Sequence, residues 1–417
     1  MKRMTSTVLQ VDDRNGSGVF NIPYYRVLKK YMIIMGQYPT QSALVNNCCV
    51  TVLVASNISL ILPTLFQMYI SMRAKDFDGI LECQPHLFTT AISGFKLLSL
   101  HVNKEYLRKM FVSVEEEWKL LKFNGSLCTL DDITKSGSKI AQLYRGSLLS
   151  FLSVFVMLPL VNPMLDIVMP LNETRPRQQV FKLYYFVNND DHFFPIYFHA
   201  SICSICAILM IITFDSVFMV ISHHASGLFA ICGDKIKKST ENNRTKIGVA
   251  EWDDGYEEAR KCVAAHKKAI EFFKMLEQVT EKLYLLLIGG NMIGICVTAF
   301  QVIVHLNEPD EAIRYVVFCV AQNFHLFYIS IPGQIIADRS FELGTSMYCS
   351  AWYRTSRRVQ RVLGMMQLRS SKPCELIAGG VYKVNIENFG AILTRNCCYI
   401  TSVVQELRSL ICQHGCL

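Results

Sequence analysis

Residues 194–222 read FPIYFHASICSICAILMIITFDSVFMVIS, a long apolar run whose single charged side chain is Asp215. About 20 apolar residues in a helix are enough to cross the hydrocarbon core of a bilayer. The whole chain is 51% hydrophobic and only 18% charged, whereas soluble proteins carry about 25% charged residues. We therefore interpret it as a membrane protein. Six further spans are predicted at about 44–70, 80–101, 143–163, 283–306, 313–336 and 380–405.

The basic residues are distributed unevenly between the segments that connect these spans. Of the 42 Lys and Arg residues, 30 lie in one alternating set of segments and 6 in the other. Because basic loops stay in the cytosol, this asymmetry predicts a cytosolic N-terminus and an extracellular C-terminus. We predict an all-α membrane protein, with seven transmembrane helices forming one domain over residues 1–417. A G-protein-coupled receptor has seven spans in the opposite orientation, so the charges argue against that class.

The cytosolic side is predicted to contain helices as well as loops. Apolar residues recur at helical spacing beyond the fourth span and before the fifth, so 223–282 is predicted to form helical extensions, as is 337–377. Within the latter, 345–368 is predicted to be one amphipathic helix with four arginines on its polar side. Two roles stay open for it: attachment to anionic lipid or contact with another subunit. We name these extensions the anchor helices.

Several classes of function are disfavoured by the sequence. Of the sixteen cysteines, Cys203, Cys206, Cys296, Cys319, Cys397 and Cys398 lie in apolar runs, where free cysteine behaves as a small hydrophobic residue. Asp215, His223 and His224 could form the metal site of an intramembrane hydrolase, but no further ligand lies at helical spacing, and polar capping is favoured. No phosphate-binding loop, nucleophile elbow or HExxH motif is present. We predict no enzyme, cofactor, metal site or nucleic-acid partner.

Polar and aromatic residues cluster in the outer halves of several spans. A mostly apolar cavity with a few polar groups is what a small volatile ligand needs. The alternative, that these residues are simply helix-bundle core, stays open for each of them. The predicted ligand-binding residues are His86, Phe88, Thr89, Val154, Phe155, Met157, Tyr197, Phe198, Ser201, Phe318, Gln322 and Asn323.

Three longer motifs resemble one known family. They are FDSVFMVISHHASGLFAICGDKI (214–236), CVAAHKKAIEFFKMLEQV (262–279) with GICVTAFQV (294–302), and KPCELIAGGVYKVNIENFGAILTRNCCYITSVVQEL (372–407). The chain resembles an insect odorant receptor over nearly all of its length. In the last motif Phe389, Ile392, Leu393, Tyr399 and Thr401 match the family pattern, while Cys398 and Ile400 depart from it.

The resemblance implies an odorant-gated, non-selective cation channel in the plasma membrane, on the dendrites of olfactory neurons. It implies a tetramer with a shared co-receptor subunit, joined through the basic anchor helices, with an odorant pocket among spans two to six. The small volatile ligand and the lipid bilayer are the other expected partners. The related gustatory receptor channels remain an alternative.

The resemblance also implies that the last helix of each subunit lines a central pore. Projection at 3.6 residues per turn places a polar stripe on this helix, which suits a water-filled pore better than lipid. A polar seam buried between helices is the alternative. The predicted pore-lining residues are Cys398, Thr401, Ser402, Gln405 and Glu406. Asn172 begins the sequon that the predicted topology places outside the cell, so it is the predicted glycosylation site.

Overall fold

A computed structural model describes residues 18–38, 40–123, 127–169, 175, 177, 179–188, 191–242, 251–306, 308–396, 398 and 402. Within these residues the fold is almost entirely helical, which confirms the all-α prediction. The helices are α1 (Pro23–Ile34), α2 (Ala43–Ala74), α3 (Phe77–Val102), α4 (Lys104–Phe123), α5 (Cys128–Met157), α6 (Val161–Val168), α7 (Phe193–Asn242), α8 (Glu251–Val304), α9 (Pro309–Tyr348), α10 (Arg357–Ser370) and α11 (386–396). Strands β1 (Ile377–Ala378) and β2 (Tyr382–Lys383) form an antiparallel hairpin.

Helix α7 is the central element of the bundle. It packs against α5, α9, α8 and α3, and every residue from Met210 to Phe229 is buried. A helix that is apolar all round is expected at the centre of a bundle rather than at its surface. The stretch that predicted a membrane span is therefore also the core of the fold.

The helices correspond to six of the predicted spans and to the start of the seventh. Among the described residues, α2, α7, α8, α9 and the segment Cys128–Val168 are long and apolar enough to cross a membrane. Helix α3 is 26 residues long but carries two buried charges, Glu82 and Lys96. It begins where Asp76 accepts a hydrogen bond from the backbone N–H of Gly79 at 3.0 Å, a favoured helix N-cap.

The third predicted span, 143–163, is not one continuous α-helix. Helix α5 ends at Met157, a 3-10 turn covers Leu158–Leu160, and α6 follows. Pro159 lies in this turn. Because proline has no backbone N–H and its ring crowds the preceding turn, the α-helix tightens here into a 3-10 turn, and the backbone stays helical on both sides.

The predicted single helix at 345–368 is also interrupted. Helix α9 ends at Tyr348, and α10 begins only at Arg357. The side chain of Ser356 accepts a hydrogen bond from the backbone N–H of Val359 at 3.4 Å, so it caps a new helix. The prediction of one helix was wrong because hydrophobic periodicity does not report a break of eight residues between two helices.

The seventh predicted span begins later than expected, at 386 instead of 380. Gly379 and Gly380 have φ values of +57° and +71°, in the left-handed region that favours glycine, and they turn the hairpin. The N–H of Gly379 donates to the carbonyl oxygen of Glu281 at 3.0 Å. A Cβ at Gly379 would lie 2.5 Å from Leu285, so this close approach requires glycine. The hairpin is thereby attached to α8, whereas the start of α11 lies against α9, where the backbone N–H of Ile386 donates to the Gln334 side chain at 3.3 Å.

The bundle has two distinguishable ends. The loop end carries residues 179–188, which connect α6 to α7. The anchor end carries α10 and the adjoining parts of α7, α8 and α9. Helices α7, α8 and α9 run through both ends.

Candidate functional site

A cavity lies between α3, α5, α7 and α9 toward the loop end, with Leu60 of α2 at its edge. The space between its lining residues, including the part that is open to solvent, is about 620 Å³. Its lining is mostly apolar, and the polar groups are the His86 ring and the hydroxyls of Thr89, Thr90 and Ser204. An apolar cavity with few polar groups is suited to a small organic ligand.

The loop at 179–188 covers part of this cavity. The Phe181 side chain lines it, and the centroid of the Phe181 ring lies 4.0 Å from that of His86. The neighbouring Lys182 forms a salt bridge with Glu82, whose side chain is buried near the start of α3. The packing of the Phe181 ring and the ion pair of Lys182 therefore hold the loop over the cavity.

The cavity continues toward the anchor end, below Phe318. There Asn291 of α8 with Gln322 and His325 of α9 bring amide and imidazole groups to its lower surface. All three are buried. We name these three residues the floor of the cavity.

The structure brings together five of the twelve predicted ligand-binding residues. His86, Thr89, Phe155 and Phe318 line the main part of the cavity, and Gln322 lies in its floor. They come from three helices that are far apart in sequence. Their contact with a ligand stays a prediction, but the geometry makes such contact possible for all five at once.

Three predicted residues lie elsewhere, and their placement in the pocket needs correction. Val154, Met157 and Phe198 are 46%, 59% and 59% exposed on the outside of the bundle. Successive residues of a helix are about 100° apart, since a turn contains 3.6 residues. Because Phe155 points into the cavity, Val154 and Met157 point away from it.

The remaining four predicted residues do not line the cavity either. Tyr197 and Ser201 are buried beside it, and the Tyr197 hydroxyl donates to a carbonyl oxygen of α5 at 3.1 Å. Phe88 is half-buried on α3. The Asn323 amide donates to a carbonyl oxygen of its own helix at 2.8 Å. Of these, Tyr197 packs in one apolar cluster with Phe155 and Phe181, so it supports the cavity wall from behind.

A network of buried polar side chains lies next to the floor. The Lys96 ammonium is fully buried and lies 2.6 and 2.7 Å from the two carboxylate oxygens of Asp215. The Tyr144 hydroxyl donates to Asp215 Oδ2 at 2.5 Å. His325 Nε2 lies 2.9 Å from the Lys96 ammonium. The network joins α3, α5, α7 and α9, and its charges are paired, as buried charges must be.

The metal site that an intramembrane hydrolase would need is not formed by Asp215, His223 and His224. The Asp215 carboxylate is bound by Lys96 and Tyr144. His223 Nδ1 lies 2.8 Å from a backbone carbonyl of its own helix. Across the described parts of the chain, no group of three or more His, Cys, Asp or Glu side chains could hold a metal ion.

Sequence reasoning missed most of the apolar lining. On α5, Leu148, Phe151, Leu152 and Phe155 follow helical spacing, so a projection from Phe155 would have found them. Phe181 lies in a loop, and no periodic signal indicates its inward position. The Lys96–Asp215 pair joins residues that are 119 positions apart, and no local pattern indicates it.

The predicted pore helix is described only in part. Cys398 and Ser402 are helical and exposed on the surface of the single subunit. Thr401, Gln405 and Glu406 lie outside the described residues, as does the predicted glycosylation site Asn172. The pore-lining and glycosylation roles therefore stay predictions.

Solved structures with the same architecture include the insect olfactory receptor OR5 from Machilis hrabei, alone and in complex with eugenol. The alignment to the eugenol complex has a TM-score of 0.72 at 12% sequence identity, and covers 91% of this chain and 97% of that chain. The unliganded structure gives the same score, with 92% and 97% coverage. At this identity the likeness establishes the fold.

Curated relatives in Drosophila melanogaster are similar over part of their length. Odorant receptor 63a is 25% identical over 177 residues, which are 41% of this chain and 39% of that protein. Odorant receptor 9a is 22% identical over 206 residues, 49% of this chain and 50% of that protein. The matched regions thus cover half or less of the length of these relatives.

The match to a family profile is longer than the match to either of these two relatives. The profile of the 7tm Odorant receptor family aligns with residues 77–397, from the first turn of α3 to just past α11. It includes the cavity, the buried polar network and the hairpin. The chain therefore belongs to the 7tm odorant receptor family, a family of receptors and ion channels rather than enzymes.

Proposed function

We propose that this protein is the odorant-binding subunit of a ligand-gated, non-selective cation channel that assembles with a shared co-receptor. It acts in the plasma membrane of olfactory sensory neurons, on their dendrites. The observation that carries the proposal is the apolar cavity near the loop end, with its aromatic lining and its few polar groups. Such a cavity removes a volatile apolar molecule from water without requiring it to be charged.

The proposed orientation puts the loop end outside the cell. The basic residues support it, because 30 of the 42 Lys and Arg residues belong to the connecting segments that the sequence predicts to be cytosolic, and these segments include the anchor helices. With this orientation the cavity faces the fluid from which odorants arrive. The anchor helices then lie in the cytosol, where the arginines of α10 are available to anionic lipid or to a neighbouring subunit.

The pore is proposed to form between subunits. Cys398 and Ser402 are exposed on the isolated subunit, which is compatible with a helix face that meets a central axis in an oligomer. Thr401, Gln405 and Glu406 are proposed to continue this face. Hydroxyl, amide and carboxylate groups favour the passage of hydrated cations.

Electrical recording tests the proposal directly. The chain is expressed in a cell that lacks odorant receptors, with and without the co-receptor, and currents are recorded across a panel of volatile compounds. We expect odorant-evoked cation currents only when both subunits are present. Currents of equal size from this chain alone would contradict the shared assembly, and silence of the pair at normal surface expression would contradict the receptor role.

A matched pair of variants tests the cavity. Phe155→Ala removes a ring that lines it, whereas Val154→Ala shortens the adjacent side chain, which is exposed on the outside. We expect odorant potency to fall several-fold in the first variant and to stay unchanged in the second. Agonists that act on the co-receptor alone provide the control for channel assembly.

A further inference from the structure

The His86 side chain differs from the other polar groups that line the main part of the cavity. The hydroxyls of Thr89, Thr90 and Ser204 donate their protons to carbonyl oxygens of their own helices, at 2.9, 2.9 and 2.7 Å. The His86 ring makes no hydrogen bond with the residues that the structure describes, and its Nδ1 is buried without a partner. His86 is only 9% exposed. An imidazole that has left water in this way is unfavourable unless something in the cavity forms a hydrogen bond with it.

Three phenylalanine rings surround the imidazole. The centroids of the Phe155, Phe181 and Phe318 rings lie 6.0, 4.0 and 5.6 Å from that of His86. No charged side chain is among the residues that line this part of the cavity. A protonated imidazole would be an unpaired charge in apolar surroundings, which is costly. The ring is therefore neutral.

A neutral imidazole carries one proton, on either of its two nitrogens. Because Nδ1 is sealed, Nε2 is the ring nitrogen that a ligand in the cavity can meet. With the proton on Nε2, the ring donates into the cavity. The three hydroxyls have already used their protons, so among the side chains that line this part His86 alone offers a proton to a ligand oxygen. In apolar surroundings such a hydrogen bond is stronger than one in water.

The floor of the cavity is less suited to this role. Each of its three side chains already has a polar partner. The partners are a carbonyl oxygen of the same helix for Asn291, the Lys96 ammonium for His325 and the Thr298 hydroxyl for Gln322, at 2.8, 2.9 and 3.2 Å. A ligand oxygen therefore gains less there than beside an imidazole that has no partner.

We propose that His86 is the hydrogen-bonding residue of the cavity, and that its preferred ligands are neutral molecules with one oxygen-bearing group on an apolar body. Alcohols, ketones, esters and ethers belong to this class. The ligand oxygen accepts from the Nε2–H of His86, and the body lies among leucine, isoleucine and phenylalanine side chains. A carboxylate or ammonium group would have no partner, because Glu82, one turn before His86, is already paired with Lys182. This assignment rests on the proposed odorant-binding function and narrows it to one class of ligand and one residue.

Ligands that differ only in their polar group test the assignment. Hydrocarbons of about five to ten carbons, linear and aromatic, are compared with their alcohols, ketones, methyl ethers, carboxylic acids and amines on the chain expressed with the co-receptor. His86→Phe keeps a ring at this position and removes both nitrogens, and it breaks no hydrogen bond of the ring, so the fold is preserved. One hydrogen bond corresponds to about a fivefold change in affinity. We expect the potency of the best neutral oxygenated ligand to fall about fivefold or more in His86→Phe, while the potency of its parent hydrocarbon is retained or rises.

Two further variants separate the hydrogen bond from the shape of the ring. His86→Gln supplies a neutral amide with a donor and an acceptor, so we expect its potency for oxygenated ligands to stay within about twofold of the wild type. His101→Phe is the matched control, because it makes the same substitution on α3 at a residue that does not line the cavity. Its potencies should equal those of the wild type. If His86→Gln were no better than His86→Phe, the hydrogen bond would not be responsible and the assignment would be overturned.

Binding to the purified full-length protein separates this inference from the channel function. Thermal stabilisation by an oxygenated ligand that is lost in His86→Phe and kept in His101→Phe supports the assignment even if no current is seen, in which case the channel proposal fails. Odorant currents whose potency for oxygenated ligands is unchanged in His86→Phe overturn the assignment and leave the receptor role standing. The assignment is also overturned if the acids or amines are the preferred ligands, or if no neutral oxygenated compound of the panel binds.

Discussion

The loop end and the anchor end share three long helices but are packed differently. From Met210 to Phe229, α7 is buried on every side, and the core around it at the anchor end includes Phe272, Leu276 and Leu343. From Phe193 to Leu209 the same helix alternates between buried and exposed faces. There its buried face borders a cavity.

The difference shows how one bundle can combine rigidity with space for a ligand. Close packing at the anchor end supplies contacts that stabilise the fold. At the loop end some of that packing is absent, and a loop with Phe181 covers the space that remains. The Lys96–Asp215 pair lies between the two ends. We expect it to hold four helices in register where the packing changes.

The largest expected effect comes from the pair at this boundary. Lys96→Met leaves the Asp215 carboxylate buried without its cation, and breaking a buried pair in this way destabilises a protein by about 3–5 kcal/mol. We expect a marked loss of surface expression and a lower thermal unfolding midpoint in detergent.

An exposed ion pair provides the control for that variant. Lys119 lies 2.6 Å from Glu115, and its side chain is 61% exposed. Lys119→Met should change stability by less than about 1 kcal/mol. If Lys96→Met were as stable as Lys119→Met, the buried network would have no role in holding the helices together.

Truncation of one aromatic ring at each end compares their packing directly. Phe229 is fully buried in the anchor-end core, so Phe229→Ala should destabilise by about 3–5 kcal/mol. Phe155 already borders a cavity, so fewer contacts are lost and we expect about 1–2 kcal/mol for Phe155→Ala. Unfolding midpoints of the purified variants measure both. Equal losses would show that the two ends do not differ in packing.

The anchor end is also expected to be sensitive to acid. Burial, with a smaller contribution from the positive charge of Arg369, lowers the pKa of His266 from 6.5 to about 4. Because the unfolded chain takes up a proton more readily, the stability contributed by neutral His266 is present above pH 6.5 and lost as the pH falls toward 4. Unfolding midpoints measured over this range should fall. The decrease should be shallower in His266→Phe, and an unchanged slope would exclude this histidine as a cause.

The smallest expected effect concerns the loop at 179–188, which covers part of the cavity. Lys182 is 49% exposed and pairs with the buried carboxylate of Glu82, so solvent weakens the pair to about 1 kcal/mol or less. Lys182→Met should leave expression normal and speed the decay of current after odorant removal by about two- to fivefold. Lys182→Arg keeps the charge and should decay like the wild type. Identical decay in all three would show that the loop does not limit ligand escape.

Helical periodicity located the helices better than it located the site. The apolar runs predicted helix at six places where the structure has it, with a 3-10 turn inside the third, because burial in lipid or protein requires the same residue types. Adjacent residues such as Val154 and Phe155 were both assigned to the pocket, although a helix turns them in different directions. The choice between them depends on which neighbour the helix meets, and a single sequence does not state that.

The sequence by itself determined that this is an all-α membrane protein whose basic residues concentrate in alternate connecting segments and which has a family-specific C-terminal motif. Those properties depend on the composition and on the order of neighbouring residues along the chain, which are the same whether or not the chain is folded. Only the tertiary structure decided that Phe181 lines the cavity, that Lys96 pairs with Asp215, and that His325 lies beside this pair. Each of these depends on contacts between residues far apart in the chain. Such contacts arise when the helices pack, because a buried charge or donor must then find a partner wherever the fold supplies one.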